Sequence, residues 1–447
     1  MDERLLVRVY DVGFGDCIYV RIPDKDDAYH VLIDCGGSMP ADPTLKEALD
    51  DVRAMLPKEQ GSGASATPKK RLDLLVVTHP HADHVKGFDP AWFKGIRIRH
   101  LWLSAFMQEG HPQAKQAHAL QALTERAANA LLARGLRLGA GLNTLLTNSI
   151  ANPGALRALR TTLPQASHIK PLYVCRDIAR RFSTAERNKH GLRFEGGTTC
   201  LQDFRETGTR LRVLAPEWDI DGYYLGQAPC DYQALLGFYG QEVPEARGGA
   251  RGERVPQPAN VSAGDFRLLR NRLLYSALAF LKEDQGLKNN TSVVLLLEWR
   301  GRRLLFAGDA EWNGTGVKKG QRNGCWDVMF KVDEAHGHLS RPLDFLKVGH
   351  HGSVNGTPFV DKAGAPQPVL DRLLPVGGQA QVVVSTLAGE HGEKKVVPYP
   401  DLMEELGRRA ANARPYPSDH AQPDVPQPPR TDLEARPVDV LLRAAPG

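Results

Sequence analysis

Cysteine is scarce in this chain, and its spacing suits neither disulfide nor zinc chemistry. Six cysteines are spread over 447 residues, and no two of them form a Cys-x-x-Cys pair. Disulfide scaffolds concentrate their cysteines in much shorter chains, and zinc ribbons need closely paired thiols. The sequence therefore predicts a reduced protein without a zinc ribbon, and we expect a cytoplasmic location.

Long apolar runs and a strong excess of one charge are also missing. No apolar run reaches the ~18 residues that a membrane span needs, and residues 1–4 lack the basic-then-apolar order of a secretion signal. The net charge is only +5, from 57 basic and 52 acidic residues, and aromatic residues make up 7%. Neither value by itself indicates nucleic acid as a partner. We expect no membrane partner, and the sequence does not define an oligomeric state.

Short apolar segments separated by glycine-rich corners predict β-strands in both halves of the chain. Residues 5–12, 17–22 and 30–33 form a predicted meander at the start. Residues 72–78 are nearly all apolar, which predicts a strand buried on both faces, as in a layered α/β protein. Further strands are predicted in the second half, at 211–214, 292–299, 303–307, 345–348 and 381–385.

The most informative stretch follows the buried strand at 72–78. His79, His81, Asp83 and His84 fall within six residues, at the strand end where α/β folds place their ligand sites. Imidazoles and a carboxylate suit zinc, manganese or iron. Alternate residues of an extended segment point the same way, so His79 and His81 can bind one ion, while Asp83 and His84 can face a second. The alternative, surface or capping histidines, is disfavoured because protonated imidazoles this close would repel one another.

Two further strand ends offer metal-type ligands. Asp309 follows the apolar run Leu304–Ala307 and Gly308, and we expect its carboxylate to bridge two ions, although a Gly-Asp turn alone is more often only a turn. His350 and His351 follow another apolar strand. One of these two histidines is expected to bind metal, and the other to hold a ligand or touch substrate.

The motifs around these ligands are similar to those of a known family. Residues 79–84 resemble the signature of the metallo-β-lactamase-fold hydrolases. The other motifs resemble one branch, the soluble hydrolase domain of the ComEC competence proteins, with Phe14 in place of a glutamine. These motifs are Asp-Val-Gly-Phe-Gly-Asp at 11–16, Leu-Ile-Asp-Cys-Gly at 32–36, Asn-Asn-Thr-Ser-Val-Val-Leu at 289–295, Leu-Phe-Ala-Gly-Asp at 305–309 and Val-Gly-His-His-Gly-Ser at 348–353.

The resemblance implies an α/β fold, the αββα metallo-β-lactamase sandwich, with helical insertions. It implies one hydrolase domain over residues 1–414, with a helical insertion at about 105–210, where residues 109–160 have helical spacing. A second insertion is expected at about 217–288. A proline-rich tail, 415–447, follows, and its part at 415–429 is expected to be extended or disordered.

The resemblance also implies a dinuclear site that holds two divalent ions, zinc or manganese. Its implied metal ligands are His79, His81, Asp83, His84, Asp309 and either His350 or His351. Asp34 is expected near the site, buried and hydrogen-bonded to ligand loops, with Asp16, Lys347 and Ser353 also nearby. Lys347 and Ser353 could hold an anionic group, although a solvated strand residue is the more ordinary interpretation of Lys347.

One departure from the family pattern concerns a histidine that many members carry between the first cluster and the bridging aspartate. Five histidines fall in this interval, and none of His111, His118, His168 and His190 ends a convincing strand motif. His168 precedes an apolar run and fits best, but a free surface histidine is the expectation for each of His111, His118, His168 and His190.

The expected chemistry is hydrolysis by a metal-bound hydroxide, with Asp83, His84 and Asp309 as the catalytic residues. The leading hypothesis is a phosphodiesterase or nuclease acting on DNA or RNA, based mainly on the ComEC-like motifs. Arginine-rich segments at 205–212, 247–254 and 267–272 could neutralise phosphates, or could equally be solvated surface. The alternatives are a small-molecule hydrolase, such as a lactonase or phosphoesterase, and a non-catalytic binding module, which the intact ligand set disfavours.

Overall fold

The computed structural model describes ten stretches of the chain and a few isolated positions between them. The stretches are residues 3–37, 43–59, 68–114 (with 118 and 121), 153–220, 288–312, 324–359, 368–391, 395–416, 426–434 and 436–446. These stretches contain two large β-sheets and flanking helices.

The first sheet has the spatial order β17-β1-β2-β3-β5-β6-β7, with the short β4 paired on β5. Its amino-terminal part is an antiparallel meander, and β3, β5, β6 and β7 are mutually parallel. The strands are β1 Leu5–Val9, β2 Cys17–Asp24, β3 Asp27–Cys35, β4 Lys58–Glu59, β5 Lys69–Val77, β6 Ile96–Ser104, β7 Leu172–Val174 and β17 Val438–Leu442.

The second sheet has the order β14-β13-β12-β11-β10-β9-β8. It is antiparallel from β8 to β12, and β12, β13 and β14 are parallel. A separate hairpin joins β15 to β16. The strands are β8 Leu192–Glu195, β9 Thr198–Leu201, β10 Arg210–Ala215, β11 Val294–Trp299, β12 Arg302–Phe306, β13 Phe345–Lys347, β14 Gln381–Val383, β15 Gly389–His391 and β16 Lys395–Val397.

Helices cover the outer face of each sheet. Helices α1, α3 and α4 pack on the first sheet, and α6, α7 and α8 pack on the second. Between the sheets lies a third apolar cluster, to which strands of both sheets contribute. The described helices are α1 Pro43–Met55, α2 Ala82–Val85, α3 Pro153–Arg157, α4 Leu163–Ser167, α5 Thr184–Lys189, α6 Gly324–Asp333, α7 Pro368–Leu373 and α8 Pro400–Gly407. This arrangement is the predicted αββα sandwich.

The central strand β5 shows why a nearly continuous apolar run was informative. Leu74 and Val76 point into the layer between the sheets, whereas Leu75 and Val77 pack against the outer helices. A strand covered on both faces needs apolar residues at nearly every position, because neither face meets water. The polar exception, Asp73, is paired with Arg71 and Arg99. The prediction of a fully buried strand is therefore confirmed, and Val77 leads directly into the histidine-rich stretch.

Parallel pairing fixes which loops meet. Ile33 of β3 pairs beside Val76 of β5, and Phe306 of β12 pairs beside Lys347 of β13. The loops that follow these strands therefore leave each sheet at the same edge. The two edges are also tied together, since the Val293 amide donates to the Thr78 carbonyl at 2.9 Å.

Two segments differ from the sequence-based expectation. The predicted helical insertion at about 105–210 contains helices α3 to α5, but its residues 172–201 also supply β7, β8 and β9. These strands of three or four residues are too short to show a periodic pattern. The proline-rich tail predicted at 415–447 supplies, beyond its part at 415–429, the edge strand β17, which buries alternate residues against β1. Its prolines concealed this short amphipathic strand. Residues 221–261, which belong to the second predicted insertion at about 217–288, lie outside the described part of the chain.

Two further features of the described residues are the character of their helices and the state of their cysteines. No helix among them has the length and apolar character needed to cross a bilayer. The five cysteines that they include are free thiols, and all five are buried.

A buried histidine in β3 predicts an acid-sensitive contribution to stability. His30 is 4% exposed, and Tyr19 lies within hydrogen-bond distance of its Nδ1 at 2.7 Å. Burial, assisted by the charge of Arg71, lowers the pKa of His30 to about 4. The unfolded chain therefore takes up this proton near pH 6.5 and the folded chain only near pH 4, so stability is lost as the pH falls through this range, by at most about 3 kcal/mol.

We expect His30→Asn, which keeps an acceptor for Tyr19, to lose less stability between pH 7 and pH 5 than the unchanged protein. Urea unfolding at both pH values measures the difference. His168→Asn is the matched control, because His168 is exposed and its left-handed backbone (φ 57°) suits asparagine. Equal pH dependence of all three proteins would contradict the assignment.

Candidate metal centre

Three strand ends bring imidazoles and carboxylates together where the two sheets meet. The first cluster follows β5, Asp309 follows β12, and His351 follows β13. All of these side chains are buried, including His79, His81, Asp83 and His84. The residues are separated by up to 272 positions in sequence, so only the packing of the two sheets could bring them together.

The carboxylate of Asp309 lies at the middle of the cluster. Its Oδ2 atom is 3.3 Å from His84 Nε2, 3.7 Å from His79 Nε2 and 3.7 Å from His351 Nε2. The same His351 Nε2 atom is also 3.3 Å from Asp83 Oδ2. Two groups of ligand atoms result, His79–His84–Asp309 and Asp83–His84–His351, each within 4.8 Å. His84 belongs to both groups, and Asp309 contacts members of both.

The first two histidines converge on each other. His79 Nε2 and His81 Nδ1 are only 3.0 Å apart. Nitrogen ligands sit about 2.0–2.1 Å from zinc, so two of them on one tetrahedral ion are roughly 3.3 Å apart. The observed spacing suits a pair of ligands that share a cation.

Asp34 orients His84 from behind. Its Oδ2 accepts from His84 Nδ1 at 2.8 Å and from Thr78 Oγ1 at 2.6 Å, and its Oδ1 accepts from the Thr78 amide at 2.7 Å. With the proton on Nδ1, the lone pair of His84 Nε2 points toward Asp309. Asp34 is thus buried and hydrogen-bonded to the loop that carries the ligands.

His351 is oriented in a similar way. Its Nδ1 faces the Ser385 carbonyl at 3.3 Å, which leaves Nε2 directed at Asp83 and Asp309. Both His350 and His351 have left-handed backbone angles, with φ of 47° and 53°. Such angles cost energy for residues other than glycine and often occur at functional sites. Here they turn two consecutive imidazoles in different directions.

Close backbone packing fixes the loop that carries Asp83. A Cβ atom added to Gly36 would lie 2.1 Å from the Asp83 carbonyl oxygen, and one added to Gly15 would lie 2.6 Å from the same atom. No larger residue fits at either position without moving the ligand loop. This contact explains two of the glycines in the motifs at 11–16 and 32–36.

Burial and local charge set the protonation of the cluster. Burial lowers the pKa of His81 to about 4 and holds the pKa of His79 well below its usual value. Burial opposes the charged form of Asp83 and Asp309 as well, but the neighbouring histidines outweigh it, and both carboxyl pKa values are lowered. Although burial opposes it, the carboxylates of Asp309 and Asp34 raise the pKa of His84 well above its usual value, and those of Asp309 and Asp83 raise the pKa of His351. Because divalent metals bind neutral imidazoles, a bound ion would displace the protons of these two histidines.

Several buried polar atoms lack a hydrogen bond. Among the described residues, His81 Nε2, His84 Nε2, His351 Nε2 and Asp83 Oδ1 have no partner with acceptable geometry. Buried polar atoms are nearly always satisfied in proteins, so this concentration requires an explanation. A divalent cation bound by imidazole nitrogens and carboxylate oxygens supplies one, and the donor set suits zinc or manganese.

Residues 10–143 match the family model of the metallo-beta-lactamase superfamily. The matched segment contains the first histidine cluster and the motifs at 11–16 and 32–36. Comparison with curated proteins gives no match. Together with the cluster of metal-type ligands, the superfamily match supports a metal-dependent hydrolase. Asp309 and His351 lie outside the matched segment, and only the geometry connects them with it.

His350 lies beside the cluster rather than within it. Its Nε2 is 3.3 Å from Asn289 Nδ2, and its Nδ1 is 3.7 Å from Glu311 Oε1. Asn289 and Asn290 both donate to the Glu311 carboxylate, at 2.8 and 3.2 Å. Glu311 was not predicted from the sequence. Its position two residues after Asp309 was the available signal, and Asn289 and Asn290 belong to the motif at 289–295.

The environment of Lys347 differs from one of its two sequence-based interpretations. Lys347 is not a solvated strand residue, because it is 2% exposed and its Nζ lies 3.0 Å from Asp16 Oδ1. Strand β13 is covered on both faces, which the three-residue pattern did not reveal. The Ser353 hydroxyl donates to Asn355 Oδ1 at 2.9 Å.

The metal-type groups of the described residues do not include His111, His118, His168 or His190. The surface expectation was wrong for His111, which is fully buried with Nε2 3.0 Å from the Trp218 carbonyl. His118 packs against Phe106, and His168 is exposed at the end of α4. His190 caps α5 and is partly buried.

Removing the carboxylate behind His84 should weaken metal binding. We expect Asp34→Asn to lower the affinity for Mn²⁺ by about 10- to 100-fold, the usual cost of losing a residue that orients a ligand. Isothermal titration of the metal-free protein with MnCl₂ measures the change. Asp27→Asn, a partly buried carboxylate paired with Arg71, is the control. Equal Mn²⁺ affinity in Asp34→Asn and the unchanged protein would show that Asp34 does not support the ligand.

Proposed function

We propose that this protein is a metal-dependent phosphodiesterase or nuclease that acts on DNA or RNA and uses two divalent ions, zinc or manganese. The observation that carries the proposal is the convergence of three strand ends on Asp309, which brings four imidazoles and two carboxylates into one buried cluster. Three such ends would not be expected to meet by chance in a protein that binds no metal.

The described residues divide between the two proposed ions. His79, His81 and Asp309 would hold one ion, and Asp83, His84 and His351 would hold the other, with His84 also close to His79 and Asp309. When bound, such ions lower the pKa of a coordinated water and polarise the substrate oxygen. Asp34 and the Ser385 carbonyl hold His84 and His351 in the orientation that this requires.

Positive charge next to the cluster supports an anionic substrate. The charge of Lys288, which is 2% exposed, contributes to the lowered pKa of His81. Lys86 is about half-buried and lies close enough to interact with the charge of Asp83. Two ammonium groups beside a pair of divalent ions favour a phosphodiester over a neutral ester. The ComEC-like motifs support the same substrate class.

One of the arginine-rich segments gives less support than expected. Arg212 is buried and donates to Glu298 at 2.8 Å, and Arg210 faces Glu195 at 3.5 Å. These arginines are used within the second sheet, so they are not available to contact phosphates. The segments at 247–254 and 267–272 lie almost wholly outside the described residues.

The burial of the cluster favours a second candidate within the same chemistry, a small phosphoester. His350, with 23% of its side chain exposed, is the most exposed of the histidines at the cluster. A small ester reaches a recessed centre more easily than a duplex does. A non-catalytic binding module is less consistent with the ligand set and with its unsatisfied buried atoms.

A substrate panel at two salt concentrations distinguishes these candidates. We expect Mn²⁺- or Zn²⁺-loaded protein to cleave DNA or RNA and bis(p-nitrophenyl) phosphate, with no turnover of lactones. Binding to the nucleic acid should weaken by an order of magnitude or more between 50 and 200 mM salt, because phosphate contacts release counterions. EDTA-treated protein is the control and should regain activity with either metal. Turnover of small phosphoesters alone would favour the second candidate, and turnover of lactones alone would exclude both.

Loss of two ligands should abolish hydrolysis without unfolding the protein. In Asp83→Ala/His84→Ala we expect turnover to fall at least 1,000-fold, on the order of the loss when an essential group is removed. Circular dichroism should remain unchanged, because both sheets are intact without these side chains. His168→Asn/Asp203→Ala changes a histidine and a carboxylate that are both exposed, and serves as the matched control. Unchanged turnover in the first double variant would refute the proposed site.

A further inference from the structure

A buried lysine lies behind the ligand cluster. Lys347 Nζ is 3.0 Å from Asp16 Oδ1 and 3.2 Å from Asp16 Oδ2, and it donates to the Val348 carbonyl at 2.9 Å. Lys347 and Asp16 are each only 2% exposed. Because an unpaired buried charge is costly, each member of this pair depends on the other.

The carboxylate that Lys347 contacts belongs to a third group of metal-type ligands. Ligand atoms of Asp16, Asp34 and His84 all lie within 4.8 Å of one another, and all three residues are buried. Asp34 is occupied by Thr78 and His84. At Asp16 the structure already holds a cation, and that cation is the Lys347 ammonium.

This third group is coupled to the centre itself. The Asp16 amide donates to the Asp83 carbonyl at 3.2 Å, and the Gly36 amide donates to the Asp16 carbonyl at 3.0 Å. His84 belongs to all three metal-type groups. An ion bound at Asp16 and Asp34 would therefore lie next to the two proposed ions and would compete for the carboxylate that orients His84.

We propose that Lys347 is an internal counter-cation that sets the number of divalent ions the protein binds. Its ammonium neutralises Asp16 and so keeps the Asp16 and Asp34 carboxylates from taking up a further ion. A lysine suits this role because its charge is compact, and β13 holds it in place. The inference goes beyond the proposed hydrolysis and rests only on the proposed metal centre.

The test is a count of bound ions. Full-length variants are equilibrated with excess MnCl₂, desalted, and analysed by mass spectrometry for manganese per chain. We expect Lys347→Met to bind one ion more than the unchanged protein, because its volume is kept and its charge is lost. Asp16→Asn/Lys347→Met should return to the original number, and Lys347→Arg should not change it. Lys331→Met, which removes a lysine from an exposed pair with Asp327, is the matched control.

The outcomes separate this inference from the proposed function. If the unchanged protein binds manganese and Lys347→Met binds the same number of ions, the inference is wrong while the centre stands. If the extra ion persists in Asp16→Asn/Lys347→Met, it does not bind at Asp16, and the inference is also wrong. If the unchanged protein binds no manganese, the proposed centre fails together with it.

Folding gives a second measurement. Without metal, Lys347→Met leaves Asp16 as an unpaired buried carboxylate, so its melting temperature should be below that of the unchanged protein. Added MnCl₂ should raise the melting temperature of Lys347→Met more than that of Asp16→Asn/Lys347→Met. Lys347→Gln provides a second neutral variant. If neither neutral variant folds even with MnCl₂, a divalent ion cannot replace the ammonium, and the inference is overturned.

Discussion

Parallel pairing within each sheet is the constraint on which the site depends. Because β3 and β5 run in the same direction, Asp34 and the first histidine cluster leave the first sheet at one edge. Because β12 and β13 also run in the same direction, Asp309 and His351 leave the second sheet together. The bond between Val293 and Thr78 joins these two edges. With antiparallel pairing at either position, the ligands of one sheet would lie at opposite ends of the sandwich.

The site consists of a layer of ligands and a layer of residues that orient them. Asp34 holds His84, the Ser385 carbonyl holds His351, and Lys347 neutralises Asp16 behind both. Each orienting residue is buried, so its hydrogen bond or charge is little weakened by solvent. The arrangement accounts for a cluster in which several ligand atoms have no hydrogen-bond partner and yet cannot rotate away from one another.

Much of the fold could be predicted because its central strands follow simple rules. The run at 72–78 is apolar except for Asp73 and Thr78, as suits a strand covered on both faces, and residues 72–77 form part of β5. The short strands β7, β8 and β9 and the edge strand β17 could not be predicted with the same methods. Three to five residues carry too little pattern, and pairing with neighbouring strands supplies most of their stability.

The sequence by itself determined the type of chemistry, because His79, His81, Asp83 and His84 are close enough in the chain to act together in almost any fold that extends them. Only the tertiary structure decided that His351 rather than His350 faces Asp309, and that Lys347 is buried against Asp16. The physical reason is that the first four residues are positioned by local backbone geometry. The others are positioned by backbone angles and by contacts between strands that are hundreds of residues apart, and neither leaves a signal in a short stretch of sequence.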